Sequence, residues 1–99
     1  MIKPTLRLFA DYCCGHALWN DHTHNILDGS EEQLLELGVK PHTLAVLKVM
    51  VYVHDMGDSH LPWDTEQLTT YKYLEKIAFD NLESEIGDRF NIQVLSVEY

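Results

Sequence analysis

The sequence predicts an α+β fold: a small sheet of N- and C-terminal strands with about three helices packed on one face. Three observations carry this. Residues 5–12 and 90–99 alternate apolar and polar groups with the period of a strand. Two capping boxes, Ser30 with Gln33 and Asp64 with Gln67, each open an apolar-periodic run. A third such run begins at Pro41, a residue suited to the first turn of a helix.

In chain order, Leu6, Leu8, Ala10 and Tyr12 form one side of the first strand, with Pro4 just before it. Cys13-Cys14-Gly15 turns the chain, and Ala17-Leu18-Trp19 reads as a short extended piece that tucks Trp19 towards the core. Ser30 caps a two-turn helix with Leu34, Leu35 and Leu37 on its apolar side and Gly38 as a left-handed stop. The next segment, VLKVMVYVH, also alternates like a strand, but Pro41 and the spacing of Leu44, Leu47, Val51 and His54 favour a helix of about fourteen residues. Asp64 then opens the longest helix, with Trp63 and Leu68 as a hydrophobic staple. Its stripe is Leu68, Tyr71, Leu74, Ile77 or Ala78, Leu82 and Ile86, and Gly87 closes it. Two strands alone make a weak sheet, so they pair with each other, gain a third strand from residues 17–27, or pair across a dimer.

The 99 residues suit one domain, 1–99, with a single core and no deep enclosed substrate cavity. Apolar content of 45% and charged content of 23% exclude disorder as the ground state. Sixteen acids against seven bases give −9, a field that repels nucleic acid and anionic membrane and attracts basic proteins. The first residues lack the apolar core of a signal peptide, and the longest apolar run, near residues 49–53, is too short to span a bilayer. A cytoplasmic location is therefore expected. The only two cysteines, Cys13 and Cys14, are adjacent, which disfavours a bridge and fits a reducing compartment.

Residues 11–36 concentrate chemically active groups. Cys13, Cys14, His16, His22 and His24 are all competent zinc ligands, yet C-C-x-H followed by H-x-H lacks the two separated pairs of a structural zinc site. A Cys–His–acid triad has no supporting motif: the chain has neither a nucleophile elbow nor a Gly-rich phosphate loop. The run Val51-Tyr52-Val53-His54-Asp55-Met56-Gly57 resembles the HD phosphohydrolases, whose adjacent His-Asp pair binds divalent metal. That resemblance implies metal ligation by His54 and Asp55. It would require further ligands from His24 or His42 and from Asp80 or Asp88, and a strand at each end departs from that family's helical bundle.

A more informative property is an absence. No Lys or Arg lies in residues 8–39 or 49–71. The first window holds Asp11, Asp21, Asp28, Glu31, Glu32 and Glu36 with Tyr12 and Trp19. The second holds Asp55, Asp58, Asp64 and Glu66 with Trp63 and Tyr71. Acids around aromatic anchors suit tight binding of a basic protein, the rings supplying contact area and the charges steering encounter. Trp63, as a staple residue, also fits the core.

Over its full length the chain resembles a loosely defined group of small acidic bacterial proteins without an assigned activity. The residues that carry this are Ala10-Asp11-Tyr12, Leu18-Trp19, Leu37-Gly38, Asp64 and Tyr99; Val51–Val53 departs from the pattern, where a Trp is expected. In size and charge the set resembles the immunity proteins of interbacterial toxin systems, including contact-dependent growth inhibition. The resemblance implies a non-enzymatic protein, without cofactor or metal, that neutralises a basic toxin domain such as a nuclease. On that reading Trp19 is the apolar anchor. Asp21, Asp28, Glu31, Glu32 and Glu36 are charge complements, flanked by Asp55 and Asp58. The alternative is a metal-binding module or small metal-dependent hydrolase using the His/Cys-rich segment or His54-Asp55.

Overall fold

The computed structural model describes residues 3–10, 16–20, 27, 30–56 and 63–95. Its element order is β1 (Thr5–Leu8), β2 (Leu18–Asn20), α1 (Glu31–Leu37), α2 (Pro41–Asp55), α3 (Thr65–Ile86) and β3 (Asn91–Val94). The fold is α+β, and both the pairing of the terminal strands and the third strand occur. β1 is the middle strand of a sheet ordered β2-β1-β3. It runs antiparallel to β2, with Arg7 opposite Trp19, and parallel to β3, with Leu6 opposite Ile92.

Among the described residues, 9, 10, 90 and 95 of the expected strands lie outside β1 and β3, because tertiary partners take over there; residues 11, 12 and 96–99 lie outside the described residues. The Ala10 N–H leaves the ladder and donates to the Tyr71 hydroxyl of α3 at 3.0 Å. Phe90 still belongs to the helix exit, its N–H donating to the Ile86 carbonyl at 3.0 Å. Leu6, Leu8, Leu18 and Ile92 are buried on the side that meets the helices. Thr5, Arg7, Trp19, Asn91 and Gln93 fall on the opposite side by register.

Both predicted N-caps form. The Ser30 hydroxyl accepts from the Gln33 N–H at 3.2 Å, and the Asp64 carboxylate accepts from the Gln67 N–H at 2.7 Å. The ambiguous apolar run is the helix α2, which buries Thr43, Leu44, Leu47, Met50, Val53 and His54. Val51, expected on the buried stripe, is only half-buried, because Met50 and Val53 complete the inward face instead. α3 buries Tyr71, Ala78, Leu82 and Ile86, which resolves the choice at positions 77 and 78 in favour of Ala78. Trp63 and Tyr71, candidate exposed aromatics, are both core residues: their rings meet edge to face at 5.1 Å.

α2 begins at Lys40 without a side-chain cap of its own. The cap comes from the far end of α3. Glu85 Oε1 accepts from the Lys40 N–H at 2.9 Å, and Glu85 Oε2 accepts from the Thr43 hydroxyl at 2.6 Å. One buried carboxylate thus does for α2 what a capping box does locally, and its charge lies at the positive end of the α2 dipole.

Four residues on, the Arg89 guanidinium donates to the Leu37 carbonyl at the C-terminus of α1. Between these anchors Gly38 has φ 110°, and a Cβ there would lie 3.0 Å from Arg89 Nη2. Glycine is required both by the left-handed backbone and by the approach of Arg89. Gly87 differs: it ends α3 in the right-handed region with φ −66°, and what a side chain would strike there is the Glu83 carbonyl.

Glu85→Ala should destabilise the fold by about 2–4 kcal/mol in urea unfolding, since it leaves the buried Thr43 hydroxyl and a helix N-terminus unpaired. Tyr71→Phe should cost about 1–2 kcal/mol in the same measurement by orphaning the Ala10 N–H.

Candidate partner-binding face

α1 lies shallowly on the molecule. It has no fully buried residue; Leu34 and Leu37 turn inward and pack, partly buried, against the core. Leu35, expected beside them, is 45% exposed. On a helix it lies about 100° from Leu34 and 200° from Leu37, so it cannot share their face. The outward side therefore presents Leu35 among Glu31, Glu32 and Glu36, all exposed.

Glu31 sits in the first turn, where the helix dipole favours an acid, and its Oε1 pairs with Lys48 of α2 at 2.6 Å. Both side chains are solvated, so the pair contributes at most about 1 kcal/mol and yields readily to another cation. Glu32 and Glu36 have no cationic partner among the described residues. At i and i+4 they repel by a few tenths of a kcal/mol in a helix of two turns.

Beneath the Glu31–Lys48 pair is a cavity of about 110 Å³ bordered by His16, Leu18, Leu34, Leu44 and Leu47. It is well below the roughly 300 Å³ at which small-molecule sites begin.

Trp19 adjoins the same region. Its Nε1 donates to the Phe9 carbonyl at 2.7 Å, its ring stacks on Phe9 at 4.9 Å, and the His16 ring packs against it at 4.1 Å. His16 thus stands between Trp19 and the cavity that Glu31 borders. The indole is half-buried, with its polar edge already bonded, so Trp19 stiffens the sheet margin rather than projecting from a loop.

Asp55 is exposed at the other end of α2, about 10 Å along the helix from Lys48, with Oδ1 3.0 Å from His54 Nδ1. Asp21, Asp28 and Asp58 lie outside the described residues, as do Cys13, Cys14, His22 and His24. The structure therefore keeps Glu31, Glu32 and Glu36 together on α1, links Trp19 to them only through His16, and sets Asp55 apart. Leu35 was missed because three leucines in four positions hide which one points outward.

Among the described residues, those named for metal disperse. His54 is buried, with its ring 5.2 Å edge-on to Trp63. His42 stands twelve positions away, about 18 Å along α2, with Nε2 3.4 Å from Glu85 Oε2. Asp80 pairs with Lys76 at 3.2 Å, and Asp88 lies 3.8 Å from Arg89. Among the described residues no three His, Cys, Asp or Glu side chains converge on a point where a metal ion could sit. Nor, among them, is any helix long and apolar enough to cross a membrane.

With this geometry in hand, comparison with protein-family models, with curated proteins and with solved structures found no match. The face is read from its own chemistry.

One further acid is unusual. Glu75 falls on the inward stripe of α3, four residues after Tyr71, and its Oε2 is buried without a partner. Burial raises its pKa above the ordinary glutamate value, and the neighbouring Lys72 only partly opposes this. The folded state thus holds this proton more tightly than the unfolded chain. Stability falls as pH rises from the ordinary glutamate range through the raised folded value, and the penalty persists at neutral pH. Glu75→Gln should accordingly raise the melting temperature at pH 7, with the gain shrinking as pH is lowered through the carboxylate range; thermal scans at pH 7 and pH 4 check both parts.

Proposed function

We propose that the protein is a non-enzymatic, cytoplasmic immunity protein that binds a basic toxin domain through α1 and its surroundings. The observation that carries this is the outward side of α1. Glu32 and Glu36 are exposed there without a cationic partner among the described residues, Glu31 is paired with a solvated lysine, and Leu35 provides an apolar centre among them. A short helix that keeps like charges at i and i+4 retains an electrostatic cost that a cationic partner would relieve.

The net charge of −9 supports the same reading by steering a basic domain towards the molecule and away from nucleic acid. Trp19 then acts behind the face, holding His16 and the sheet margin against it, while Leu35 makes the central apolar contact. Asp55, and with it Asp21, Asp28 and Asp58, would add charge at the periphery.

The test is co-expression with a basic toxin domain encoded beside this chain, followed by affinity measurement between 50 and 500 mM salt. Protection and binding are expected, with the Kd weakening by roughly 100-fold or more over that range. The double variant Glu32→Lys, Glu36→Lys should weaken binding by a further ~100-fold without loss of folded protein, and Leu35→Ala by about 10-fold. Binding that ignores ionic strength and survives the charge reversals would remove this mechanism.

A further inference from the structure

The outer side of α2 carries a second feature, which meets the acidic face at Lys48. Val49 is 45% exposed, and Tyr52 and Met56 are each 67% exposed. With the exposed Ala45 they occupy positions 45, 49, 52 and 56, the alternating four–three spacing of a coiled-coil seam. This stripe runs along one side of a helix whose opposite side is already committed to the core through Leu44, Leu47, Met50 and His54. A groove of about 350 Å³ adjoins it at the C-terminal end, lined by Val53, Met56, Asp64 and by Glu66, Gln67 and Thr70 of α3. Tyr73, 68% exposed, lies three residues beyond Thr70 on the same helix.

The charges beside the seam indicate what covers it. Lys48 and Asp55 are both exposed, and each immediately precedes a seam residue, Val49 and Met56. In heptad terms they occupy equivalent flanking positions seven residues apart. In an antiparallel pair of such helices, residues at this flanking position face each other across the interface. Two copies of α2 arranged antiparallel about a twofold axis between Val49 and Tyr52 would stack Val49 on Tyr52 of the partner subunit and Ala45 on Met56 of the partner subunit. In that register alone Lys48 meets Asp55 of the partner subunit, twice by symmetry. In a parallel pair these flanking positions lie on opposite sides of the seam, so Lys48 and Asp55 could not pair across it. The surface is therefore complementary to itself in both shape period and charge, as an isologous interface requires.

We infer that a second copy of this chain docks on this stripe, forming an antiparallel α2–α2 dimer. Its present intramolecular ion pairs do not prevent this, because Lys48–Glu31 is solvated and Asp55 is over a third exposed. One helix pair of fifteen residues buries less than the roughly 1,200 Å² of a standard interface. The dimer is accordingly weak, in the range of roughly 10–100 μM. Two chains of charge −9 repel, so its association strengthens as salt is raised. That is opposite in sign to the salt response of the proposed toxin complex, so either inference can fail while the other stands.

Sedimentation equilibrium of the purified chain, from about 5 to 500 μM at 50 and 500 mM salt, is the test. A monomer–dimer equilibrium that tightens with salt is expected. Tyr52→Glu, at an exposed position, should weaken it by at least ~10-fold. Lys48→Asp alone and Asp55→Lys alone should each weaken it by about 10-fold. Combining the two changes in one chain should restore the parent association, as should mixing the two single variants, which then pair with each other rather than with themselves. A chain that remains monomeric throughout would overturn the inference and assign the stripe to another protein. A dimer indifferent to Tyr52→Glu would place the contact elsewhere. A dimer that neither the combined variant nor the mixture restores would exclude this register.

Discussion

The packing of this protein depends on where one carboxylate is placed. Glu85 stands near the end of α3, yet its bonds are to the start of α2, and its side chain is almost fully enclosed. A carboxylate in such a place must find donors, and the free N–H of a helix start and a buried hydroxyl are the donors available. The outcome fixes the two longest helices end to end. Arg89 does the converse for α1, giving its donors to a carbonyl at the negative end of that helix. Lys3 adds the first strand, donating to the Gly87 carbonyl at 2.7 Å. Three charged side chains at one corner thus join all three helices and the sheet.

The same economy shapes the surface. The chain has only seven lysines and arginines, and several serve the fold. Lys3 and Arg89 bind backbone carbonyls, Lys76 pairs along its own helix, and Lys72 lies beside the half-buried Glu75. Of the acids on α1, Glu31 pairs with Lys48, whereas Glu32 and Glu36 have no cationic partner among the described residues. An excess of negative charge that is moderate in composition becomes concentrated where the helices face solvent.

How much of this was legible depends on how far apart the partners lie in the chain. Ser30 with Gln33, Asp64 with Gln67, Pro41 and Gly38 act within a few residues, and each marks its boundary correctly. The α3 stripe is readable because its polar positions are numerous enough to reveal the period. α2 is harder, since Val49, Val51 and Val53 are apolar on every side; no periodicity can show that Tyr52 and Met56 face outward while Met50 and Val53 face in. Glu85 reads as one more surface acid on a charged helix, because Lys40 and Thr43 are more than forty residues away. The extended character of Ala17-Leu18-Trp19 is readable, but only the pairing of Trp19 with Arg7 across β1 and β2 makes it part of the sheet. Strand order depends on such distant pairings and leaves no local trace.

The parallel pairing of β1 with β3 has a kinetic side. Lys3 and Gly87 meet at a sequence separation of 84, and every β1–β3 contact spans a comparable distance. Closing so large a loop is entropically slow, whereas α2 can pack on α3 and β1 on β2 through short connections. Those local units form early, and the edge of β1 that β3 will occupy stays open until the C-terminal strand arrives. Until then the chain is a hairpin beside a helical pair, with an unpaired strand edge between them that another extended segment could engage. The corner built by Lys3, Glu85 and Arg89 lies at the turn that delivers β3, so the residues that hold the finished fold also shorten the search that completes it.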